Sequence, residues 1–79
     1  MSTKAYILIE TAVGKTGDVT RSLNSLNDVV TVDAVTGPYD IIAIVSSDNL
    51  TSVGDLVTGK IHIISGIVRT VTCLSVSGI

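Results

Sequence analysis

Residues 29–46 read VVTVDAVTGPYDIIAIVS, and this stretch decides the fold. Val29–Thr36 is β-branched and alternates in polarity, which predicts a half-exposed strand. Ile41–Ser46 is apolar on both sides of the pleat, as in a strand that is covered on both faces. Only the turn Gly37–Asp40 separates them, so the two strands form an antiparallel hairpin. We expect this hairpin at the centre of the domain.

The sequence on either side of the hairpin supplies two helices and two more strands. Apolar residues repeat at helical spacing after Thr16 and again after Asp48, each time behind a capping side chain. The predicted elements are a strand over Lys4–Thr11, a helix over Gly17–Asn27, a helix from Ser47 and Asp48 to Gly66, and a strand over Ile67–Val76. The order is therefore βαββαβ, an α+β fold of the ferredoxin-like type. Right-handed crossovers place both helices on one face of the antiparallel sheet.

The sheet face that points away from the helices is expected to be apolar. The two central strands offer either Tyr6, Leu8, Ile42 and Ile44 or, at the opposite parity, Ala5, Ile7, Ile9, Ile41, Ala43 and Val45. Neither set suits water, and 46% of the chain is hydrophobic while only 15% is charged. A second copy of the sheet is the simplest cover, because closed homo-oligomers are common. We therefore expect a sheet-to-sheet dimer of the dimeric α+β barrel type.

Length and composition narrow the class of protein. The 79 residues fit one domain spanning residues 1–79, and Cys73 is the only cysteine, so an internal disulfide is impossible. The five Lys and Arg residues are scattered in a chain of net charge −2, which argues against direct nucleic-acid binding. The apolar runs are too short to span a membrane, and Met1 to Lys4 lack the features of a signal peptide. We expect a cytoplasmic homo-oligomer.

The sequence carries no catalytic motif. It has no nucleophile elbow, phosphate loop or dinucleotide fingerprint, and no paired metal ligands. His62 is the single histidine, and we interpret it as a surface or capping residue rather than a general base. Cys73 lies in mid-strand without a nearby His and is interpreted as a small core residue. We predict no catalytic residue, no metal site and no cofactor.

The turn from Thr36 to Asp40 combines several chemical groups. A flexible glycine, a proline of fixed φ, the polar tip of Tyr39 and a carboxylate follow one another here. Ordinary turn chemistry, with Asp40 bonded to local backbone amides, is one explanation and is favoured by these residues alone. A ligand site is the other. Thr70 and Thr72 share a face of the last strand, which the strand preference of threonine explains equally well.

Three segments taken together resemble a known family. They are Thr36-Gly37-Pro38-Tyr39-Asp40-Ile41-Ile42, then Ile61–Ile64 before Ser65-Gly66-Ile67, and then Thr70-Val71-Thr72. This order resembles the C-terminal effector domain of the Lrp/AsnC transcription regulators, also called the regulation-of-amino-acid-metabolism (RAM) domain. The resemblance covers nearly the whole chain. The Thr-Gly-x-Tyr-Asp turn within a βαββαβ order is moderately specific, and the following Thr-x-Thr strand adds to it.

The resemblance implies a regulatory domain that dimerises through its sheets, assembles into rings of dimers and binds an amino-acid effector between subunits. The implied ligand-binding residues are Thr36, Gly37, Pro38, Tyr39, Asp40, Thr70 and Thr72. The carboxylate of an amino acid suits the backbone amides of the turn, and its ammonium suits Asp40 or the threonine hydroxyls. The family's DNA-binding helix-turn-helix does not precede Lys4. We therefore expect a stand-alone effector domain that co-assembles with full-length relatives or binds amino acids independently.

Two other functions stay open on the sequence. Paired ferredoxin-like sheets also form small cofactor-free oxygenases and isomerases. Such an enzyme needs a polar pocket, whereas Arg69 is the only residue that would supply one in the sheet interior, so we rank an enzyme below a binding domain. The other alternative is a purely structural partner of full-length Lrp/AsnC regulators, in which the turn is only a turn.

Overall fold

The computed structural model describes residues 3–76 and contains the predicted order of elements. The strands are β1 (Thr3–Thr11), β2 (Val29–Ala34), β3 (Ile41–Ser47) and β4 (Ile67–Leu74), and the helices are α1 (Thr16–Asn24) and α2 (Leu50–Leu56), with a π-helical turn at Val57–Ile61 continuing α2. The predicted βαββαβ fold of the ferredoxin-like type is confirmed. Residues 1–2 and 77–79 of the predicted domain lie outside the described residues.

The described sheet is antiparallel throughout, with the strand order β2-β3-β1-β4. β2 and β3 form the predicted hairpin, but the prediction that this hairpin lies at the centre is wrong for β2, which forms one edge. The crossover through α1 leaves a gap between β1 and β2, and β3 fills it, with Ala43 opposite Ile7. The half-exposed alternation of β2 is typical of such an edge position.

The helices cover the face of the central strands that carries alanine and β-branched side chains. The buried members of this face are Ala5, Ile7, Ile9, Ile41, Ala43 and Val45, each fully shielded from solvent. Val19 and Leu23 of α1 pack into the same cluster, as do Val53 and Leu56 of α2. Both helices therefore lie on one face of the sheet, as predicted.

The other parity of the sheet has no helix against it, and we call it the open face. Its central side chains are Tyr6, Leu8, Ile42, Ile44 and Val71, all of them half-buried in the single chain. Val71 joins this set because it pairs with Leu8 across β1 and β4. The open face is thus an apolar surface, as expected for either of the two sets of side chains that the central strands offer.

α1 spans Thr16–Asn24 rather than the predicted Gly17–Asn27. The predicted cap, Thr16, lies within the helix, and its hydroxyl is hydrogen-bonded to Thr11 Oγ1 at 2.8 Å. Lys15 occupies the N-cap position without a side-chain hydrogen bond. The capping bond that the sequence pattern suggested is therefore not formed by Thr16.

The second helix begins at Leu50, later than predicted. Ser47 still belongs to β3, and the cap is Asn49, whose Oδ1 accepts a hydrogen bond from Ser52 N–H at 2.9 Å. Leu50 itself, expected on the apolar stripe, is 60% exposed. The first apolar residue that reaches the core is Val53.

The π-helical turn at Val57–Ile61 was not predicted. His62 N–H donates to the Val57 carbonyl at 2.8 Å, which closes the wider ring typical of a π-bulge. Leu56, Val57 and Ile61 are all buried in the core in this part of the chain. The turn also sets the position of His62, whose ring is hydrogen-bonded to Thr70.

β4 ends at Leu74 rather than the predicted Val76 and begins with an irregular pair. Its register against β1 shifts between Glu10 and Thr11, so Ile67 lies opposite Thr11 and packs against the core. The bulge reverses the alternation at this point, so Ile67 and Arg69 lie on opposite faces of the sheet. From Arg69 onward the alternation is regular: Thr70 and Thr72 share a face, as predicted, and Arg69 lies opposite Glu10.

Candidate functional site

The turn Thr36–Asp40 connects β2 to β3 at one end of the sheet. β2 ends at Ala34, and Val35 N–H donates to the Asp40 carbonyl across the turn at 2.9 Å. The backbone N–H of Asp40 then donates to the Ile9 carbonyl of β1, also at 2.9 Å. The base of the turn is therefore fixed to two strands.

The Asp40 side chain adds a second attachment to β1. Its Oδ2 accepts hydrogen bonds from Thr11 N–H at 2.8 Å and from Thr11 Oγ1 at 3.3 Å. Because the Thr11 hydroxyl also meets Thr16 Oγ1, the carboxylate is linked through β1 to the start of α1. Asp40 does bond a backbone amide, as the turn interpretation expected, but that amide lies 29 positions away in the chain rather than locally.

The tip of the turn remains accessible to solvent. Thr36, Gly37 and Pro38 are exposed, whereas Tyr39 and Asp40 are half-buried. Gly37 has a φ of 155°, a conformation that residues with a Cβ rarely adopt. The turn therefore combines a base that is hydrogen-bonded to β1 with a tip that is exposed to solvent.

Arg69 connects the turn to β4. Its Nη2 donates to the Tyr39 hydroxyl at 3.2 Å, and its guanidinium carbon lies 5.5 Å from the centroid of the Tyr39 ring. On its other side, Arg69 Nε lies 3.6 Å from Glu10 Oε1. Tyr39, Glu10 and Arg69 therefore form one cluster on the open-face side of the sheet, beside the turn.

Thr70 and Thr72 lie on the opposite side of β4 from Arg69. They pair with Ile9 and Ile7, whose side chains face the helices. Thr70 Oγ1 is hydrogen-bonded to His62 Nε2 at 2.8 Å, while Thr72 is exposed. Within one chain, the structure thus brings Tyr39 together with Arg69 and Asp40 together with Thr11, and it does not bring the two threonines to the turn.

Two surface cavities are candidates for a ligand site. One of about 330 Å³ is lined by His62, Ile67, Val68, Arg69 and Thr70, next to the predicted site. A larger cleft of about 440 Å³ lies at the other end of the sheet and is lined by Asp28, Ser46, Ser47, Asp48, Ser52, Asp55, Leu56 and Lys60. As a ligand site, the 440 Å³ cleft is favoured by its volume, whereas the 330 Å³ cavity is favoured because the predicted site residue Thr70 lines it.

Sequence reasoning missed the residues that organise this site. No local sequence pattern assigned a role to Thr11, because its hydrogen-bond partner Asp40 lies 29 positions away in the chain. Arg69 was considered only as the one polar residue of the sheet interior, in the enzyme alternative, yet its position beside Thr70 was a signal for a role at this site. His62 was interpreted as a surface or capping residue; it is exposed and bonded to Thr70. Cys73, expected in the core, is exposed on β4.

Among residues 3–76, no group of three or more His, Cys, Asp or Glu side chains is arranged to hold a metal ion. In the same part of the chain, none of the helices has both the length and the apolar character needed to cross a membrane.

Comparison with protein-family models identifies the family of this chain. The family model for the Lrp/AsnC ligand binding domain matches residues 4–79. The chain belongs to this family. The resemblance inferred from the turn and the Thr-x-Thr strand is thereby confirmed.

Solved structures of similar length share both sequence and fold with this Lrp/AsnC domain. FFRP-DM1 is 32% identical with a TM-score of 0.90, and the match covers 94% of this chain and 99% of that one. The hypothetical protein PHS023 from Pyrococcus horikoshii is 33% identical with a TM-score of 0.88, covering 96% of this chain and 90% of that one.

A longer regulator shares the fold alone. The transcriptional regulator NMB0573 of Neisseria meningitidis, solved as a complex with L-Met, is 15% identical with a TM-score of 0.85. The match covers 98% of this Lrp/AsnC domain and 51% of the Neisseria chain. Among curated proteins, none matches the chain.

Proposed function

We propose that this Lrp/AsnC domain is an oligomeric regulatory module that binds an amino-acid effector at the turn Thr36–Asp40. The observation that carries the proposal is the construction of the turn. Asp40 fixes its base to β1 through Thr11, while Thr36 and Gly37 remain exposed at its tip. Binding rather than catalysis is the proposed role, since the family is a ligand-binding domain.

The chemistry of the turn suits an amino acid. Exposed backbone amides near Gly37 suit a carboxylate, and the Asp40 carboxylate suits an ammonium group. The L-Met complex of NMB0573 supports a small amino acid as the ligand class, because that regulator has the same fold.

Thr70 and Thr72 enter the proposal as contributions from a second subunit. Within one chain they lie on the helix-facing side of β4, so they do not reach the turn. In a ring of dimers, these hydroxyls would face the turn of a neighbouring subunit and complete the pocket. The proposed ligand site is therefore assembled only when subunits meet.

The open face is the proposed surface of dimerisation. Tyr6, Leu8, Ile42, Ile44 and Val71 form a continuous apolar centre. Packing two such faces removes that area from water, which is worth about 25 cal/mol per Å² of apolar surface. A domain of this size gains a substantial share of its stability from such association.

A screen of the twenty amino acids by thermal shift, followed by calorimetric titration of those that stabilise the protein, tests the proposal. We expect at least one to raise the melting temperature, since ligand that binds only the folded state stabilises it. Asp40→Asn is the variant of choice, because the amide oxygen can still accept from Thr11 while the charge is lost. Asp40→Ala would also detach the turn from β1.

Asp55→Asn is the matched control, because Asp55 lines the larger cleft at the other end of the sheet. The proposal predicts weaker binding in Asp40→Asn and unchanged binding in Asp55→Asn. The reverse pattern would move the site to the larger cleft. If no amino acid binds the wild-type protein, the sensing function is wrong.

We further propose that full-length Lrp/AsnC regulators are partners of the module, through which effector binding would reach transcription. Co-expression with such a regulator from the same cell, followed by native mass spectrometry, tests this. Mixed oligomers are the expected result, whereas separate homo-oligomers would indicate independent sensing.

A further inference from the structure

The described strands carry four charged side chains, and the register places all of them on the open face: Lys4, Glu10, Asp33 and Arg69. The proposed dimer packs this face against a second copy, so another subunit covers or flanks each of these charges. A charge that loses water is costly unless an opposite charge replaces the water. The partners of the four side chains therefore bear on how two subunits fit together.

Two of the four charges neutralise each other within one subunit. Arg69 lies directly opposite Glu10 on the neighbouring strand, and its Nε is 3.6 Å from Glu10 Oε1. Arg69 also donates a hydrogen bond to the Tyr39 hydroxyl at 3.2 Å. Glu10 and Arg69 together therefore add no net charge to the open face.

Lys4 and Asp33 are the other two charges, and neither has an ion-pair partner among residues 3–76. The Lys4 ammonium lies 5.2 Å from the centroid of the Tyr6 ring, which keeps it over the open face. Asp33 is exposed on the edge strand β2, where it pairs with Ile42 of the open face. One subunit thus presents one unmatched positive charge and one unmatched negative charge.

These two charges lie on different sides of the apolar centre. Lys4 precedes Leu8 on β1 by about 13 Å, at roughly 3.3 Å per residue. Asp33 lies in the same row as Leu8, about 10 Å away across Ile42, at roughly 4.8 Å per strand. A two-fold axis that runs diagonally through the apolar centre, between two facing sheets, brings Lys4 of one subunit over Asp33 of the partner subunit. Every contact of a two-fold interface occurs in duplicate, so the same operation forms the pair twice.

We infer that Lys4 of one subunit forms an ion pair with Asp33 of the partner subunit, and that the two symmetric pairs determine the orientation and the partner of the open face. This pairing rests on the dimer within the proposed function. The apolar centre supplies affinity without direction, whereas charges at its rim select orientation and partner, because like charges brought together are costly. A second copy of this chain is complementary at both positions.

Charge-reversal variants test the pairing by sedimentation velocity at low ionic strength, where exposed charges are weakly screened. Lys4→Asp leaves two acidic side chains at these positions and Asp33→Lys leaves two basic ones, so both should self-associate at least ~10-fold more weakly than wild type. An equimolar mixture of the two variants should form heterodimers, since each acidic side chain then meets a basic one. Native mass spectrometry identifies the mixed species, because the two chains differ in mass.

Arg21→Asp and Asp18→Lys are the controls, because Arg21 and Asp18 form an exposed ion pair on α1, on the other side of the sheet. These variants change the net charge by the same amounts and should dimerise as wild type does. The double variant Lys4→Asp with Asp33→Lys restores opposite charges within one chain, so it should dimerise with itself in preference to wild type. This double variant keeps the test decisive if a single change impairs folding.

Three results would overturn the pairing while leaving the dimer in place. They are wild-type self-association of both single variants, a mixture that forms no heterodimers, and a double variant that exchanges freely with wild type. If wild-type protein is a monomer at every concentration, the proposed dimer fails together with the pairing, and the open face has another occupant. Amino-acid binding is measured separately, so its outcome is distinguishable from this one.

Discussion

Asp40 has a structural partner as well as a proposed ligand. Its carboxylate accepts two hydrogen bonds from Thr11, one from the backbone and one from the hydroxyl. Hydrogen bonds to a charged acceptor contribute more than neutral ones, and a donor that loses its partner carries a desolvation cost. A change at this position therefore alters the stability of the turn as well as its charge.

Asp40→Ala is predicted to lower the free energy of unfolding by about 1.5–3 kcal/mol, because the Thr11 N–H loses its acceptor. Asp40→Asn keeps an acceptor oxygen and should cost less than half of that. Urea unfolding of the two variants beside wild type gives the comparison. Equal losses in both variants would mean that the charge, rather than the hydrogen-bonded attachment, stabilises the turn.

Thr11→Val separates the backbone bond from the side-chain bonds. Valine keeps the N–H that donates to Asp40 and removes the hydroxyl that contacts Asp40 and Thr16. We predict a loss of about 1 kcal/mol in the free energy of unfolding. Thr58→Val is the control, since the Thr58 hydroxyl bonds only to the nearby Gly54 carbonyl of its own helix. A Thr11 loss no larger than the Thr58 loss would show that the Thr11 hydroxyl has no special role.

At this scale the sequence predicted the turn but not its attachments. Gly37, Pro38 and Asp40 identify a turn because each has a local conformational preference. The Asp40–Thr11 bonds and the Arg69–Tyr39 contact join residues 29 and 30 positions apart. No local pattern encodes such pairs, since they exist only after the strands have aligned.

The junction between α1 and β4 depends on Gly66. Gly66 has a φ of 101°, and a Cβ built there would lie 2.9 Å from Lys15 Cβ and 3.1 Å from Val19 Cγ2. The Ala12 N–H also donates to the Gly66 carbonyl at 2.8 Å, so the backbone has little freedom to adjust. The start of β4, and with it Arg69, is positioned by this close approach.

Gly66→Ala is predicted to lower the free energy of unfolding by at least about 2 kcal/mol, from backbone strain and steric overlap. Gly54→Ala is the matched control, because Gly54 lies within α2 and a Cβ there would have nothing within 4 Å. It should stabilise the protein by about 0.5–1 kcal/mol. Chemical denaturation measures both. A Gly66→Ala protein as stable as wild type would mean that α1 and β4 are packed less closely than described.

At the scale of elements, the periodicity of apolar residues predicted the type and order of the elements better than the residues at which they begin and end. The two-sided apolarity of β1 and β3 was sufficient to mark both as buried strands, and the structure places them at the centre. The hairpin was misplaced because sequence order shows that β2 and β3 pair but not which strand lies on the far side of β3. The π turn at Val57–Ile61 was missed because its pattern of apolar residues is also compatible with an ordinary helix.

For the whole molecule, the open face is the feature that supports the proposed association. Leu8 lies at its middle, paired with Ile42 on β3 and Val71 on β4. If the proposed dimer forms through this face, Leu8→Lys is predicted to leave a monomer, because a charge at the centre of an apolar interface would be desolvated without a partner. Sedimentation velocity at micromolar protein concentration measures the change in mass.

Leu50→Lys provides the control for that experiment. Leu50 is 60% exposed at the start of α2, which lies on the face opposite the open face, so the proposed dimer should persist. If Leu8→Lys retains the wild-type mass, the subunits do not associate through this face. If both variants dissociate, the added charge acts through a general effect rather than through the interface.

The central claim is that an amino acid binds at the turn Thr36–Asp40 where subunits meet. The most direct measurement is a crystal structure of the protein with the amino acid that binds best in solution. We predict ligand density against Gly37 and Asp40 of one subunit, with a second subunit closing the pocket. Density in the cleft lined by Asp55 and Lys60, or at a position touched by one subunit alone, would contradict the account.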